Sequence, residues 1–335
     1  MPDIEFKSVT FYYGEEPQTP VQKPEGNLAG AASQAAAVTL VAADAAGATS
    51  QAAAGTLVVA EGFADAAATS TAGSANSVIL DQLSLTVERG EFVAVIGANG
   101  SGKTTFARHI NALLQPRQGQ VLIVGLDTGQ TENQFTIRSE AGMVFQNPNT
   151  QMVSSIVADD VAFGPENLNI QPPELQERVL QGLETVAMAD HSEDDTSELS
   201  GGERQRVSIA GVLAMRPSIL VLDEAGAMLD VRGRRGIRRI VRELNDSGLT
   251  VVLITHFMEE AILADRVIVL DRGQIVLDGP PSTVFMEHQT LRQLGLDVPF
   301  SMQLLEALAK RGIKLSETIN PENLKEQLCA WYWNH

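Results

Sequence analysis

The chain is poor in features that mark several large classes of protein. Its 335 residues contain one cysteine, Cys329, which excludes an internal disulfide framework and agrees with a reducing compartment. No run approaches 18 strongly apolar residues, so nothing reads as a transmembrane helix. The opening MPDIEFKSVTFYY alternates like a strand and lacks the charged start and apolar run of a signal peptide. Basic residues are scarce: 24 Lys and Arg against 42 Asp and Glu give a net charge of -18, which a nucleic-acid backbone repels. Aromatics make up only 5%, so the run Trp331-Tyr332-Trp333 stands out and reads as a packing anchor at a helix end.

What is present is alternation. Residues 3–13 form a period-two strand pattern through Ile4, Phe6, Val9 and Phe11. Composition then breaks over 15–77, which is Pro-rich and then Ala/Gly/Ser/Thr-rich, with SQAAAVTLVAAD at 33–44 echoed by SQAAAGTLVVAE at 50–61. Two copies of weakly apolar sequence cannot build a core, and the segment reads as a solvated, largely disordered insertion. From Val78, β runs (VAVIG, GMVFQ, ILVLDE, TVVLITH, RVIVL) alternate with helical patterns from Lys103, through 157–190 and over 232–246, the order expected of a mostly parallel sheet flanked by helices. After Pro280-Pro281 two amphipathic segments follow, near 300–311 and from Asn320-Pro321-Glu322, and read as a small C-terminal helical appendage. A row of arginines, Arg232, Arg234, Arg235, Arg238, Arg239 and Arg242, reads as a solvated helix face paired with nearby acids.

Gly97-Ala-Asn99-Gly100-Ser101-Gly102-Lys103-Thr104 matches GxxxxGK[ST], directly after an apolar strand and before a helix. Such a loop curls backbone N–H groups around phosphate oxygens, with Lys103 reaching the β- and γ-phosphates and the Thr104 hydroxyl on Mg²⁺. Thr105 extends the nucleotide-binding set. The run ILVLD ends in Asp223-Glu224, 120 residues after Lys103, so a buried strand delivers two acids to the edge where ligands of open α/β sheets bind. Asp223 is placed on the metal and Glu224 on the attacking water.

Leu199-Ser200-Gly201-Gly202-Glu203, followed by RQRVSIAGVLAMRP, resembles the signature of ATP-binding-cassette (ABC) ATPases. The resemblance covers roughly 3–14 and 77–280. It implies a phosphate-loop NTPase cassette over 1–280, with a mostly parallel sheet core, an antiparallel β subdomain holding the insertion and a helical subdomain over 147–200. It also implies roles for Gln146 as the Q-loop ligand of metal and γ-phosphate, Asp230 as the D-loop, His256 as the switch histidine and Tyr13 as the adenine platform, with Tyr12 as its alternative. Ser200, Gly201 and Gly202 would cap ATP on a facing subunit, so a second ATPase subunit is implied.

The stretches GMVFQNPNTQMVSSIVADDVAFGPENL, ITHFMEEAILADRVIVL and GLDVPF resemble ATPase components of energy-coupling-factor (ECF) transporters, importers of vitamins and cobalt or nickel ions. That implies a transmembrane coupling subunit, a substrate-binding membrane subunit, a place on the cytoplasmic face of the membrane, and a role for 281–335 in holding the ATPase pair. Two positions depart from the usual ABC pattern: Glu203 stands where Gln is usual, and Ala225-Gly226 where Pro-Thr is common. A soluble ABC ATPase acting on ribosomes or nucleic acid is the rival reading. The acidic charge and a spacing of only 97 residues from Lys103 to Ser200, too short for a long coiled coil, oppose it.

Overall fold

Two sheets organise the chain in the computed structural model, which describes residues 1–14, 78–316 and 318–333. The segment 15–77, with its duplicated stretch, lies outside the described residues. Strands β1 (Ile4–Tyr12), β2 (Val78–Val87), β4 (Gln118–Ile123) and β5 (Leu126–Asp127) form an antiparallel sheet in the order β2-β1-β4-β5. A second sheet holds β3 (Phe92–Gly97), β6 (Ala141–Val144), β7 (Ile219–Asp223), β8 (Thr250–Ile254), β9 (Arg266–Asp271) and β10 (Gln274–Gly279), in the order β10-β9-β3-β8-β7-β6. It is parallel throughout except for β10, which returns antiparallel along β9.

The sequences FVAVIG, ILVLD and TVVLI are buried at every position, as a parallel strand covered on both faces requires. Period-two geometry divides them between two cores. Ala94, Ile96, Leu220, Leu222, Val251 and Leu253 face one, with Val157, Leu183, Val207 and Ile240 from the helices. Val93, Val95, Val221, Val252 and Ile254 face the other, closed by Phe106 and Ile110 of α1 (Lys103–Ile110), Ile137 of α2 (Gln134–Glu140) and the inner face of the antiparallel sheet.

The expected helical stretch over 157–190 is two helices, α3 (Val157–Asn167) and α4 (Glu174–Thr185). Asn169 turns into the left-handed region, and Pro172-Pro173, without donors, cannot continue a helix. Both pack on α5 (Gly201–Ala214), which lies beyond the 147–200 segment of the sequence reading. The arginine row lies on α6 (Val231–Asp246) and meets acids only in part: Arg242 pairs with Asp246 and Asp265 and Arg239 with Glu243, whereas Arg234 lies over Phe257 and Arg238 donates to the Glu259 carbonyl.

Beyond α7 (Met258–Ala261) and the last strand come α8 (Pro281–Val284), α9 (His288–Gln293), α10 (Phe300–Lys310) and α11 (Pro321–Trp333). The chain after Pro281 is less separate than an appendage. Val284, Phe285, Leu291, Leu296, Val298 and Met302 join the first core, because the segment carries its own apolar positions and spends them there. Asn320 caps α11 by accepting from Glu322 N at 2.9 Å. At its end Tyr332 and Trp333 stand 70% and 81% exposed, so these two rings do not anchor the helix against the described residues.

Candidate functional site

Four neighbouring parallel strands, β3, β8, β7 and β6, end at the same edge of the sheet, and their C-terminal loops carry the site. After β3 the chain turns at Gly97, where a Cβ would collide with the Leu270 carbonyl and crowd the Ser101 hydroxyl. Asn99 and Gly100 form the exposed tip. Ser101 is buried, its hydroxyl without a hydrogen-bond partner among the described residues. Gly102 takes φ 104° at the head of α1, a conformation that favours glycine. Lys103 folds back, donating from Nζ to Gly97 O at 2.8 Å and Ala98 O at 3.0 Å. Burial holds its pKa below the usual ammonium range, opposed by the charges of Glu224 and Asp223.

Asp223 ends β7 almost fully buried, and the Thr104 hydroxyl lies 3.4 Å from its Oδ1. Burial pushes the Asp223 carboxyl up to about 6; Glu224 adds to the rise, while Thr104, Arg108 and Lys103 oppose it. Glu224 follows with φ 51°, a left-handed backbone that costs a non-glycine residue on the order of 1 kcal/mol. Its N–H still donates to Ile254 O at 3.0 Å, which ties the turn to β8. On its carboxylate, Gln146 Nε2 donates to Oε2 at 2.8 Å, and His256 Nδ1 lies 3.6 Å from the same oxygen. Three loops thus meet at one atom.

Tyr13 is 44% exposed, its ring edge-on to Phe11 at 5.0 Å and its hydroxyl 3.5 Å from Thr105 Oγ1 of α1. Tyr12 is 9% exposed, with the Arg117 guanidinium 5.6 Å from its ring centre. Among the described residues, Tyr13 is the more exposed of the two tyrosines.

Ser200, Gly201, Gly202 and Asp230 stand apart from this cluster, at helix starts. Ser200 caps α5 in a reciprocal box: its Oγ accepts from Glu203 N at 3.3 Å, and Glu203 Oε2 accepts from Ser200 N at 2.8 Å. Those bonds to Ser200 hold the Glu203 carboxyl below its usual pKa. The departure from Gln at this position is therefore an alternative member of the same box. Glu203→Gln keeps an acceptor for Ser200 N and is expected to cost only a few tenths of a kcal/mol for the lost charge at the helix start. Glu203→Ala keeps the Ser200 cap but loses the reciprocal bond, about 1 kcal/mol; paired denaturation curves check both. Asp230 caps α6, accepting from Gly233 N at 2.6 Å.

Sequence reasoning missed the side chains that shape the Gln146 loop. Gln151 Oε1 accepts from Phe145 N at 3.1 Å, and Gln205 Nε2 of α5 donates to Phe145 O at 3.4 Å. Asp160 Oδ1 accepts from Val153 N at 2.6 Å and Ser154 N at 3.0 Å. For Asp160 and Gln205 the only signal in the sequence is a polar residue where the helical period places a core position; Gln151, in a loop, carries none.

A phosphate-loop sheet of this order, carrying a helical lobe opened by a signature serine, is the ABC-type nucleotide-binding cassette. The family described as "ABC transporter" matches residues 80–227. The energy-coupling factor transporter ATP-binding protein EcfA1 of Symbiobacterium thermophilum is 51% identical over 255 residues, 76% of this chain and 89% of that protein. EcfA1 of Clostridium perfringens strain 13 is 46% identical over 254 residues, 75% of this chain and 90% of that one. Among solved structures, CbiO1 from Clostridium perfringens, described as part of the ABC transporter complex CbiONQ, superposes with a TM-score of 0.62 at 25% identity, covering 88% of this chain and 94% of that one. The cassette MJ0796, solved as a dimer in a post-hydrolysis state with ADP and Pi, gives 0.58 at 28% identity, covering 63% of this chain and 94% of that one. The chain belongs to the energy-coupling factor transporter ATP-binding proteins.

Proposed function

We propose that this ATPase subunit of an energy-coupling factor importer works as one half of a composite pair. The observation that carries the reading is the meeting of Gln146 and His256 on the Glu224 carboxylate beside the phosphate loop. Lys103 and the backbone N–H groups of 97–105 hold the ATP phosphates. Lys103 then exchanges its bonds to Gly97 O and Ala98 O for phosphate oxygens. Glu224 orients the attacking water and takes its proton, and His256 and Gln146 hold that carboxylate and the γ-phosphate in register.

The donors beside the phosphates are oxygens: the Thr104 hydroxyl, the Asp223 carboxylate and the Gln146 amide oxygen, whose nitrogen is already engaged with Glu224. That set suits a small hard cation, and buried Asp223 with its raised pKa lacks a full countercharge. Mg²⁺ held there would neutralise negative charge on the phosphates.

Ser200, Gly201, Gly202 and Asp230 act on the nucleotide of a facing cassette, a reading that the dimeric MJ0796 structure supports. Residues 281–335 help to hold the pair, with Tyr332 and Trp333 exposed for contact. A transmembrane coupling subunit and a substrate-binding membrane subunit complete the transporter, with this chain on the cytoplasmic face. No described helix is long and apolar enough to cross a membrane, so attachment falls to those partners. Tagged full-length chain is expected to co-purify with integral membrane proteins and a second ATPase copy or paralogue, with ATP turnover in that fraction; recovery with ribosomes would overturn the reading.

Tyr13 supplies the stacking face for adenine. Tyr13→Ala is expected to weaken ATP binding about tenfold, the usual loss for one base–aromatic stack, and to leave turnover at saturating ATP near its parent value. Titration with a fluorescent ATP analogue measures the first and phosphate release the second. Tyr12→Ala losing as much would move the role to Tyr12.

A further inference from the structure

The residues around His256 make a second cluster that the reaction chemistry does not use. Glu260 of α7 is a carboxylate buried to 5% exposure, an expensive group to leave inside a protein without a purpose. Its Oε2 accepts from the Thr255 hydroxyl at 2.6 Å, and the Thr255 oxygen accepts from Phe257 N at 3.0 Å. Side chains thus close the tight turn that displays His256. The other carboxylate oxygen faces Gly226, where a Cβ would sit 2.7 Å from it. The Ala225-Gly226 departure from Pro-Thr therefore has a local physical reason: a side chain at Gly226 would push this carboxylate away.

The same cluster reaches the start of α6. Burial raises the Glu260 pKa, and the Thr255 hydroxyl and the charges of Arg238 and Arg234 oppose the rise. Arg234 lays its guanidinium 4.2 Å over the Phe257 ring centre and donates from Nη1 to Leu229 O at 3.4 Å, one residue before Asp230. The Phe257 ring lies 4.0 Å from the His256 ring, tilted by 39°. Contacts therefore run without a gap from Leu229 through Arg234 and Phe257 to His256, with Glu260 securing the turn from behind.

We propose that Arg234 and Glu260 are positioning residues that lock the His256 turn to the Leu229–Asp230 segment, so that seating Asp230 against a second cassette sets His256 for hydrolysis. The proposal rests on the reading above that Asp230 meets a facing cassette and that His256 serves the γ-phosphate. Neither Arg234 nor Glu260 touches the nucleotide. Losing either one uncouples pairing from turnover and leaves ATP affinity alone.

The test uses the full chain in its membrane complex, with ATP turnover, its Hill coefficient, equilibrium ATP binding and thermal melting read for each variant. Arg234→Met and Glu260→Met are expected to lower kcat about tenfold and bring the Hill coefficient toward 1, with ATP affinity within about twofold of the parent. Glu260→Gln keeps an acceptor for Thr255 and is expected to recover most of the turnover. The double variant should be no slower than the slower single one, because both cut the same connection. Arg234 is only half-buried, so its variant remains informative if Glu260→Met folds poorly. Folded Arg234→Met with parental kcat and Hill coefficient, or losses that multiply in the double variant, would overturn the proposal. A His256→Ala control at parental turnover would instead overturn the reading beneath it, and the proposal with it.

Discussion

Glu224→Gln is expected to lower steady-state ATP turnover of the assembled complex by at least about 10²-fold, the contribution typical of a positioned general base. The substitution isolates the chemistry. Glutamine occupies the same volume, tolerates the φ of 51° no worse than glutamate, and still offers an oxygen to Gln146 Nε2. Fold, loop geometry and ATP affinity are therefore retained, and only the ability to take a proton is lost. Because the γ-phosphate stays attached, ATP should also hold two cassettes together longer than in the parent. Phosphate release measures the first effect, and size-exclusion chromatography with ATP the second. Unchanged turnover would remove Glu224 from its role.

Asp223→Asn is expected to abolish hydrolysis while making the nucleotide-free chain more stable at neutral pH. The sign follows from linkage. The folded pKa, about 6, lies above that of an unfolded aspartate near 3.9, so between these values the native state binds more protons than the unfolded one. Stability from this group is greatest below about pH 4, falls as pH rises through 6, and stays low above it. At pH 7 the buried charge costs up to about 3 kcal/mol, two pKa units at 1.36 kcal/mol each. Asparagine removes that charge and keeps an acceptor for the Thr104 hydroxyl. Its melting temperature should exceed the parent's by several degrees at pH 7.5, with the gap closing toward pH 4. Melting at or below the parent temperature at pH 7.5 would contradict the burial cost. The site thus trades stability for a carboxylate held ready beside the phosphates, as binding sites commonly do.

Much of this was legible from local pattern. Gly97–Thr104 needs only a strand, a loop and a helix start in succession, all adjacent in sequence, so the motif announces its own context. Asp223 and Glu224 were legible because ILVLD is uniformly apolar up to its end. Tyr13 over Tyr12 was legible only in part: the resemblance puts Tyr13 first and keeps Tyr12 as the alternative, and burial of Tyr12 beside Arg117 separates the two. Gln151, Gln205, Asp160 and Glu260 were missed for a shared reason. Each acts on a backbone or hydroxyl group contributed by a fold that sequence spacing does not reveal, and a polar residue on a helix or in a loop reads as surface until its partners are known.

The sequence by itself determined which residues stand at strand ends and helix starts, because strand and helix periods and cap chemistry are local properties. It also determined the family, since the signature and its flanks are read residue by residue. Tertiary structure alone decided who meets whom. The strands β6, β7 and β8 keep their sequence order across the sheet, but β3, which precedes all three in the chain, runs beside β8 and not beside β6. That order brings Gln146, Glu224 and His256, 110 positions from first to last, onto one carboxylate oxygen beside the phosphate loop. Parallel pairing over several helical crossovers is a long-range choice made by burial of both sheet faces, and no short stretch of sequence encodes it.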